Sequence, residues 1–332
     1  MRFSLPSRLT LYLLGVALLS FCLCVAYTLW INVEVRLYRA AIERKRAWSE
    51  RLTAIGPKNV VYGGSSCAFS IDGERMESAF NCPTVNFGLH AGYGADFLTR
   101  LALTACREGD NLVVALEPGV LTERIEQTSL AVQTSYALGE RALIAPHSGS
   151  GLQLFNRLEE LYSLRPGGLH AFGMLGKALR RQPMYRYSIE DVHPSGWFTT
   201  SARRPMGPTP DNGNELSPDG KALLNTILRE SQARGAWAMY SLPWALAGTE
   251  EVSPYRLKRL RFLRQIMAFI PVLHDPALGI QSDPSLFSDT EWHLSESGAA
   301  LRSDQLAQSL THQKFWSEAD LASIERSLLQ VP

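Results

Sequence analysis

One stretch near the start of the chain limits what it can become more than any other. Residues 9–30 carry no charge and are almost wholly apolar. As a helix they are long enough to cross a hydrocarbon layer of roughly 30 Å. The run has no polar face, so it suits lipid better than the surface of a soluble fold. Tyr27 and Trp30 fall where aromatic side chains anchor at a membrane interface. The run exceeds the apolar segment of a cleaved leader, and Ala26 offers only a weak small-residue site. Phe21 precedes Cys22 and Leu23 precedes Cys24, where a lipoprotein signal needs a small residue. The expectation is an uncleaved signal anchor: a cytoplasmic tail over 1–8, a span over 9–30 and a helical stalk over 31–57.

Charge around the span is divided. Arg2 and Arg8 precede it; Arg36, Arg39, Arg44, Lys45 and Arg46 come after it, partly offset by Glu34 and Glu43. Counting cations alone puts the large domain in the cytoplasm. A signal anchor with a very short tail commonly exports the domain behind it, and the cysteines point the same way. The expected location is the inner (cytoplasmic) membrane, single-pass, with the large domain periplasmic or extracellular. The whole chain has net charge +1 and pI about 7.7, so its charge gives no reason to expect a nucleic-acid partner.

Beyond the Gly56-Pro57 break the pattern alternates. Residues 59–63, 84–87 and 111–116 read as short buried strands, with helices over 72–80 and 96–106. This order predicts a mainly parallel sheet covered by helices on both faces. A proline-rich segment at about 120–215 reads as a helical and loop insertion. The alternation resumes with helices over 219–234 and 255–269, strands over 236–241 and 271–274, and helices over 296–310 and 318–329. The domain is therefore assigned to 58–332.

Cys82 enters the second strand and Cys106 ends the helix after it. A helix running back antiparallel to its strand returns near the strand's start, where a disulfide is geometrically possible. The alternative is two reduced, buried thiols. A bridge would imply an oxidising compartment. Cys67 reads as a small buried residue.

Three segments carry candidate chemistry. Val60-Val61-Tyr62-Gly63-Gly64-Ser65-Ser66 runs a strand into small residues, a setting for a nucleophilic serine at the carboxyl end of a parallel sheet. Asn86-Phe87-Gly88-Leu89-His90-Ala91-Gly92 is a second strand end whose glycines can present N–H groups. Ser288-Asp289-Thr290-Glu291-Trp292-His293 places a histidine just after carboxylates and just before a helix that Ser295 or Ser297 can cap. No spacing suggests a metal site, and no phosphate loop or dinucleotide fingerprint occurs, so no cofactor is implied.

Together, in this order, the segments resemble the SGNH/GDSL hydrolase superfamily over about residues 58–312. Gly64-Ser65-Ser66 matches its first block, with Asp72 six residues on. Gly88 matches its second, and Asp289 with His293 its last. The stretch from Asn86 through Glu117-Pro118 is similar to a membrane-anchored branch that acyl-modifies cell-envelope polysaccharides. The resemblance implies an α/β, flavodoxin-like three-layer sandwich. It implies Ser66 as nucleophile, His293 as base, Asp289 as orienting acid, and the N–H groups of Ser66 and Gly88 as the oxyanion hole. Glu291 stays open as the orienting acid, and Glu117, His90 and Glu291 are candidate pocket residues. The implied partners are a glycan or acylated small molecule, the membrane, and other polysaccharide-biosynthesis membrane proteins. The implied activity is an O-acyl esterase or acyltransferase. The sequence departs from the family where Ala115-Leu116-Glu117-Pro118 replaces the third block, so the asparagine of the oxyanion hole is missing. Losing one such donor costs about 2.7–4 kcal/mol of transition-state stabilisation. That departure supports the alternative of a catalytically inactive scaffold or glycan-binding component.

Overall fold

The computed structural model describes residues 5–144, 153–165, 173–174, 176–177, 179–182, 185–200 and 215–329. The chain divides into two compact units. One comprises Met1–Ala40 with Thr128–Ser188, the other Ala41–Gln127 with Ile189–Pro332.

In the first unit, α1 (Leu5–Ala26) continues through a π-helical turn, Tyr27–Ile31. Arg8–Ile31 is long and apolar enough to cross a membrane, and its 18-residue apolar window is not buried in the protein, whereas Thr28 near its end is. Asn32 ends this run, and α2 (Val33–Thr53) comes next. Val25 and Leu29 pack against buried Val132, Ile144 and Leu164. The helices Ser129–Leu138 and Gln153–Ser163 pack together, and Gln133 Nε2 donates to Ser163 O at 2.8 Å. Arg141 grips Glu160 with two bonds of 2.8 and 2.7 Å. The insertion expected at about 120–215 is thus divided: 128–188 belong with the apolar helix, and the rest belong with the sheet. Parts of that segment, 201–214 among them, lie outside the described residues.

The second unit is built on a parallel sheet in the order β2-β1-β3-β4: β1 is Asn59–Tyr62, β2 Thr84–Asn86, β3 Asn111–Val114 and β4 Trp237–Tyr240. The register sets Val61 beside Asn86 and Val113, and Val113 beside Met239. Val272 extends the sheet by one parallel bridge to Tyr240, so the strand expected at 271–274 shrinks to a single rung.

Alternation sorts the side chains. Val61, Val113 and Met239 join Met76 and Leu306 in one buried cluster, beneath α4 (Gly73–Phe80) and the Glu296–Thr311 helix. On the other face, Tyr62 shares a hydrogen bond with Thr99 of α5 (Ala95–Ala105), and Tyr240 meets Phe262 of the Val252–Met267 helix. Burial of all of β1, and of β3 after its first residue, is what a sheet covered on both faces requires.

The outer side of β2 is finished by side chains. Trp48 Nε1 donates to Thr84 O at 3.1 Å, Lys45 Nζ to Asn86 O at 2.8 Å, and Asn86 N to Ser195 O at 2.8 Å. Lys45 is fully buried; it also bonds Gly196 O and lies over the Phe198 ring. Burial pushes its ammonium down to about 7. At the other end of the sheet, Asp110 accepts from Lys58 N (2.9 Å), Lys58 Nζ (2.6 Å) and Arg107 N (2.8 Å), tying the starts of β1 and β3 together.

The Cys82–Cys106 bridge is not formed; both thiols are free and buried. The crossover explains why. α5 leaves edge strand β2, packs over β1 and delivers the chain to β3, rather than returning beside β2. Cys82 belongs to the cluster under α4, on the opposite face of the sheet from α5. Asn59 Nδ2 donates to the Cys82 sulfur at 3.2 Å, and Cys106 Sγ lies 3.6 Å from Ala102 O.

Candidate active site

Strand order reverses between β1 and β3: β1 leads outward to β2, and β3 leads the other way to β4. In open α/β sheets the crevice beyond the carboxyl ends of two such strands is the usual binding position. The segment after β1 carries Ser65 and Ser66. The segment after β3 carries Glu117.

β1 passes through Gly63 and Gly64 into a single turn, α3 (Ser65–Ala68). Successive side chains on a helical turn are about 100° apart, so the two serines face differently. Ser66 is fully buried, and its Oγ donates to Glu117 Oε1 at 2.6 Å. The same carboxylate accepts from Ser66 N at 3.0 Å and Gly64 N at 3.1 Å. Gly64 makes room for this carboxylate: a Cβ would stand 2.4 Å from Glu117 Oε1 and force it to move. Ser65 is partly exposed, and its hydroxyl has no hydrogen-bond partner among the described residues.

Asn86, at the end of β2, latches the turn from the side. Its Nδ2 donates to Cys67 O and Ile71 O, both at 2.9 Å, and its Oδ1 accepts from Gly88 N at 2.8 Å. Gly88 rides so close to α3 that a Cβ would lie 2.4 Å from Ala68 N. The two N–H groups expected to form an oxyanion hole are therefore already engaged, Ser66 by Glu117 and Gly88 by Asn86. Burial raises the Cys67 thiol to about 12, which leaves it protonated and unreactive at neutral pH.

The last segment folds into a tight hairpin. Phe287 and Leu294 pair, Ser288 N donates to His293 O at 2.8 Å, and Thr290 Oγ1 accepts from the amides of Trp292 and His293 at 3.2 and 3.1 Å. Ser295 caps the next helix through Gly298 N at 3.3 Å. This frame sets His293 Nδ1 2.8 Å from Asp289 Oδ1, with both residues buried. A carboxylate accepts, so Nδ1 is the donor and Nε2 keeps its lone pair. Asp289, and not Glu291, is thus the acid beside the histidine; Glu291 Oε2 is buried without a hydrogen-bond partner among the described residues.

The His293 ring stacks on Phe69 at 4.2 Å between centroids. Phe69 closes the α3 turn, its N–H bonding Ser65 O at 3.0 Å. Residues four apart lie on one face of a helical turn, so Phe69 and Ser65 share a side while Ser66 turns toward Glu117. The structure thus brings Ser66, Gly88 and Glu117 together in one buried network. It sets the Asp289–His293 pair against Phe69, the residue that closes the same turn.

His90 is exposed and caps the Ala91–Tyr93 turn, its Nδ1 accepting from Gly92 N at 2.9 Å. Asp72 caps α4 by accepting from Arg75 N at 3.1 Å. Sequence reasoning assigned no role to Asn86 or Phe69. A buried asparagine ending an apolar strand was the one available signal for the first.

Fold and site together define a parallel α/β unit with a buried Asp–His pair beside a serine-bearing turn, in a chain that also carries a membrane-length apolar helix. Comparison with protein-family models, curated proteins and solved structures finds no match for this chain.

Proposed function

We propose that the α/β unit is an SGNH-type serine hydrolase domain, anchored by the Arg8–Ile31 helix. Its activity is that of an O-acyl esterase or acyltransferase on a cell-envelope glycan. The observation that carries this reading is the 2.8 Å Asp289–His293 bond, buried against the turn that ends β1. Such a pair holds one tautomer and leaves Nε2 to take a serine proton.

Ser65 is the nucleophile in this reading, in place of Ser66, because only Ser65 has an uncommitted, accessible hydroxyl. Its Oγ attacks the acyl carbonyl, the new C–O bond forms, and the proton passes to His293 Nε2. The ester C–O bond then breaks, and the departing oxygen takes that proton. Water or a sugar hydroxyl completes the cycle by the reverse transfer. Gly63-Gly64-Ser65 keeps the Gly-x-Ser spacing of the resemblance, shifted by one residue. In this reading the chain is a single-pass inner-membrane protein with the domain on the outer face, where envelope glycans lie.

The test is covalent labelling of the detergent-solubilised protein by a fluorophosphonate. Labelling should be lost in Ser65→Ala and in His293→Ala and kept in Ser66→Ala. A wild type that is folded yet never labels overturns the reading.

A second reading is supported by the Glu117 network. A carboxylate that already takes the Ser66 N–H, with Asn86 taking the Gly88 N–H, suits a non-catalytic scaffold or glycan-binding component. Glycan binding without labelling is the outcome that selects it.

A further inference from the structure

The Val252–Met267 helix brings an unpaired cation to the mouth of the sheet. The Arg259 guanidinium lies 5.7 Å from the Trp292 ring, and Trp292 immediately precedes His293 in the hairpin. The same helix packs against Tyr240 through Phe262, three residues beyond Arg259. The Tyr240 hydroxyl donates to Leu116 O at 2.7 Å, one residue before Glu117. Arg259 therefore stands between the end of β3 and the Asp289–His293 hairpin.

It forms no ion pair and no hydrogen bond with any described residue. Glu291, the acid next to Trp292, does not neutralise it. Crowding by the protein pushes the guanidinium down to about 10, so it is partly stripped of water without an anion in exchange. Arg259 itself is half-buried, and Arg256, three residues earlier on the same helix face, has its Nε buried without a partner among the described residues. A buried, unpartnered guanidinium nitrogen beside a second arginine without an ion pair suits an acceptor brought from outside the protein. Trp292 is partly exposed, and its indole N–H has no partner among the described residues. An aromatic face suits the C–H face of a sugar ring, and a guanidinium fork suits a carboxylate.

We propose that Arg259 and Trp292, with Arg256 behind them, form a subsite for an acidic sugar residue, the uronate type of carboxylate-bearing glycan, next to His293. The choice of a glycan rests on the hydrolase reading above; the anionic group rests on the two arginines.

The test is binding of oligogalacturonate by the full-length protein in detergent, monitored by tryptophan fluorescence and calorimetry. A neutral oligosaccharide of equal length and inorganic phosphate serve as comparison ligands. The acidic oligosaccharide should bind at least about 10-fold more tightly than either, and more weakly as salt rises. Arg259→Gln should weaken it at least about 10-fold, Arg259→Lys should restore only part of the loss, and neither should change the melting midpoint enough to explain it. Equal binding of the neutral sugar, an unchanged affinity in Arg259→Gln, or phosphate binding as tight as the oligosaccharide overturns the subsite. If Arg259→Gln fails to fold, Arg256→Gln and Trp292→Ala carry the same expectation. Labelling by the fluorophosphonate without oligogalacturonate binding rejects this inference alone. Binding without labelling rejects the hydrolase reading alone.

Discussion

Replacing Glu117 by glutamine tests the buried network that decides which serine is free. The carboxylate holds Ser66 Oγ, Ser66 N and Gly64 N at 2.6, 3.0 and 3.1 Å. In its better orientation a glutamine oxygen keeps both Ser66 donors, but those bonds lose their charge assistance, at about 1 kcal/mol each. Its NH₂ group then faces the Gly64 N–H. Two buried donors meet, and leaving the Gly64 amide unpaired costs about 1–3 kcal/mol more. The expected loss is about 3–5 kcal/mol, or roughly 6–20 °C in melting midpoint for a unit of this size. Ser66→Ala removes only the Oγ bond and should cost about 1.5–3 kcal/mol. In the double variant the serine effect should shrink, because the bond it removes is already weaker. Thermal unfolding in detergent, monitored by tryptophan fluorescence, gives the order. Amide exchange on a peptide covering residues 63–67 gives the location, with protection of Gly64 lost in Glu117→Gln. A midpoint for Glu117→Gln no lower than that of Ser66→Ala, or unchanged exchange at Gly64, would refute this account of the network.

Other parts of the structure give three further expected outcomes. Lys58→Met leaves Asp110 buried without its ammonium partner and should cost about 3–5 kcal/mol, while Lys58→Met with Asp110→Leu should recover much of that, as measured by melting midpoints. Lys45 should make stability depend on pH: folding lowers its pKa to about 7, so between pH 7 and 10.5 the unfolded chain binds more protons. Stability from this group is full above pH 10.5 and is lost as pH falls toward 7, with a slope of at most about 1.4 kcal/mol per pH unit. Melting curves of wild type and Lys45→Met at about pH 7, 8 and 9 should therefore diverge, and parallel curves would discard the argument. Gly88→Ala drives a methyl group to within 2.4 Å of Ala68 N and should lower soluble yield and melting midpoint more than Gly139→Ala, a left-handed helix-end glycine with open space around it.

How much of this was readable in the chain depended on whether the governing contact was local. The apolar run, the β-branched strands and the break at Gly56-Pro57 announce themselves by composition and period, and the structure agrees with them. An acid beside His293 was readable because only three hairpin residues separate Asp289 from it, but the choice between Asp289 and Glu291 was left to the hairpin's geometry. The choice between Ser65 and Ser66 was not readable by spacing. Both lie at the strand's end, and only the position of Glu117, 51 residues beyond Ser66, shows which one turns inward. The disulfide expectation failed for a related reason. Sequence places Cys82 and Cys106 at plausible ends of a strand and a helix, but not on opposite faces of the sheet. The division of the 120–215 segment between two units was also hidden, since hydropathy does not say which apolar surface a helix will find.

The finished side of β2 limits how this protein can associate. With the Thr84 and Asn86 carbonyls held by Trp48 and Lys45, and the Asn86 amide held by Ser195, three of that strand's outward backbone groups are already taken. Strand addition, swapping and edge-to-edge aggregation are disfavoured there by three side-chain and loop contacts. At this edge a partner meets side chains, where substitution can tune specificity, rather than a backbone edge that would accept almost any extended peptide.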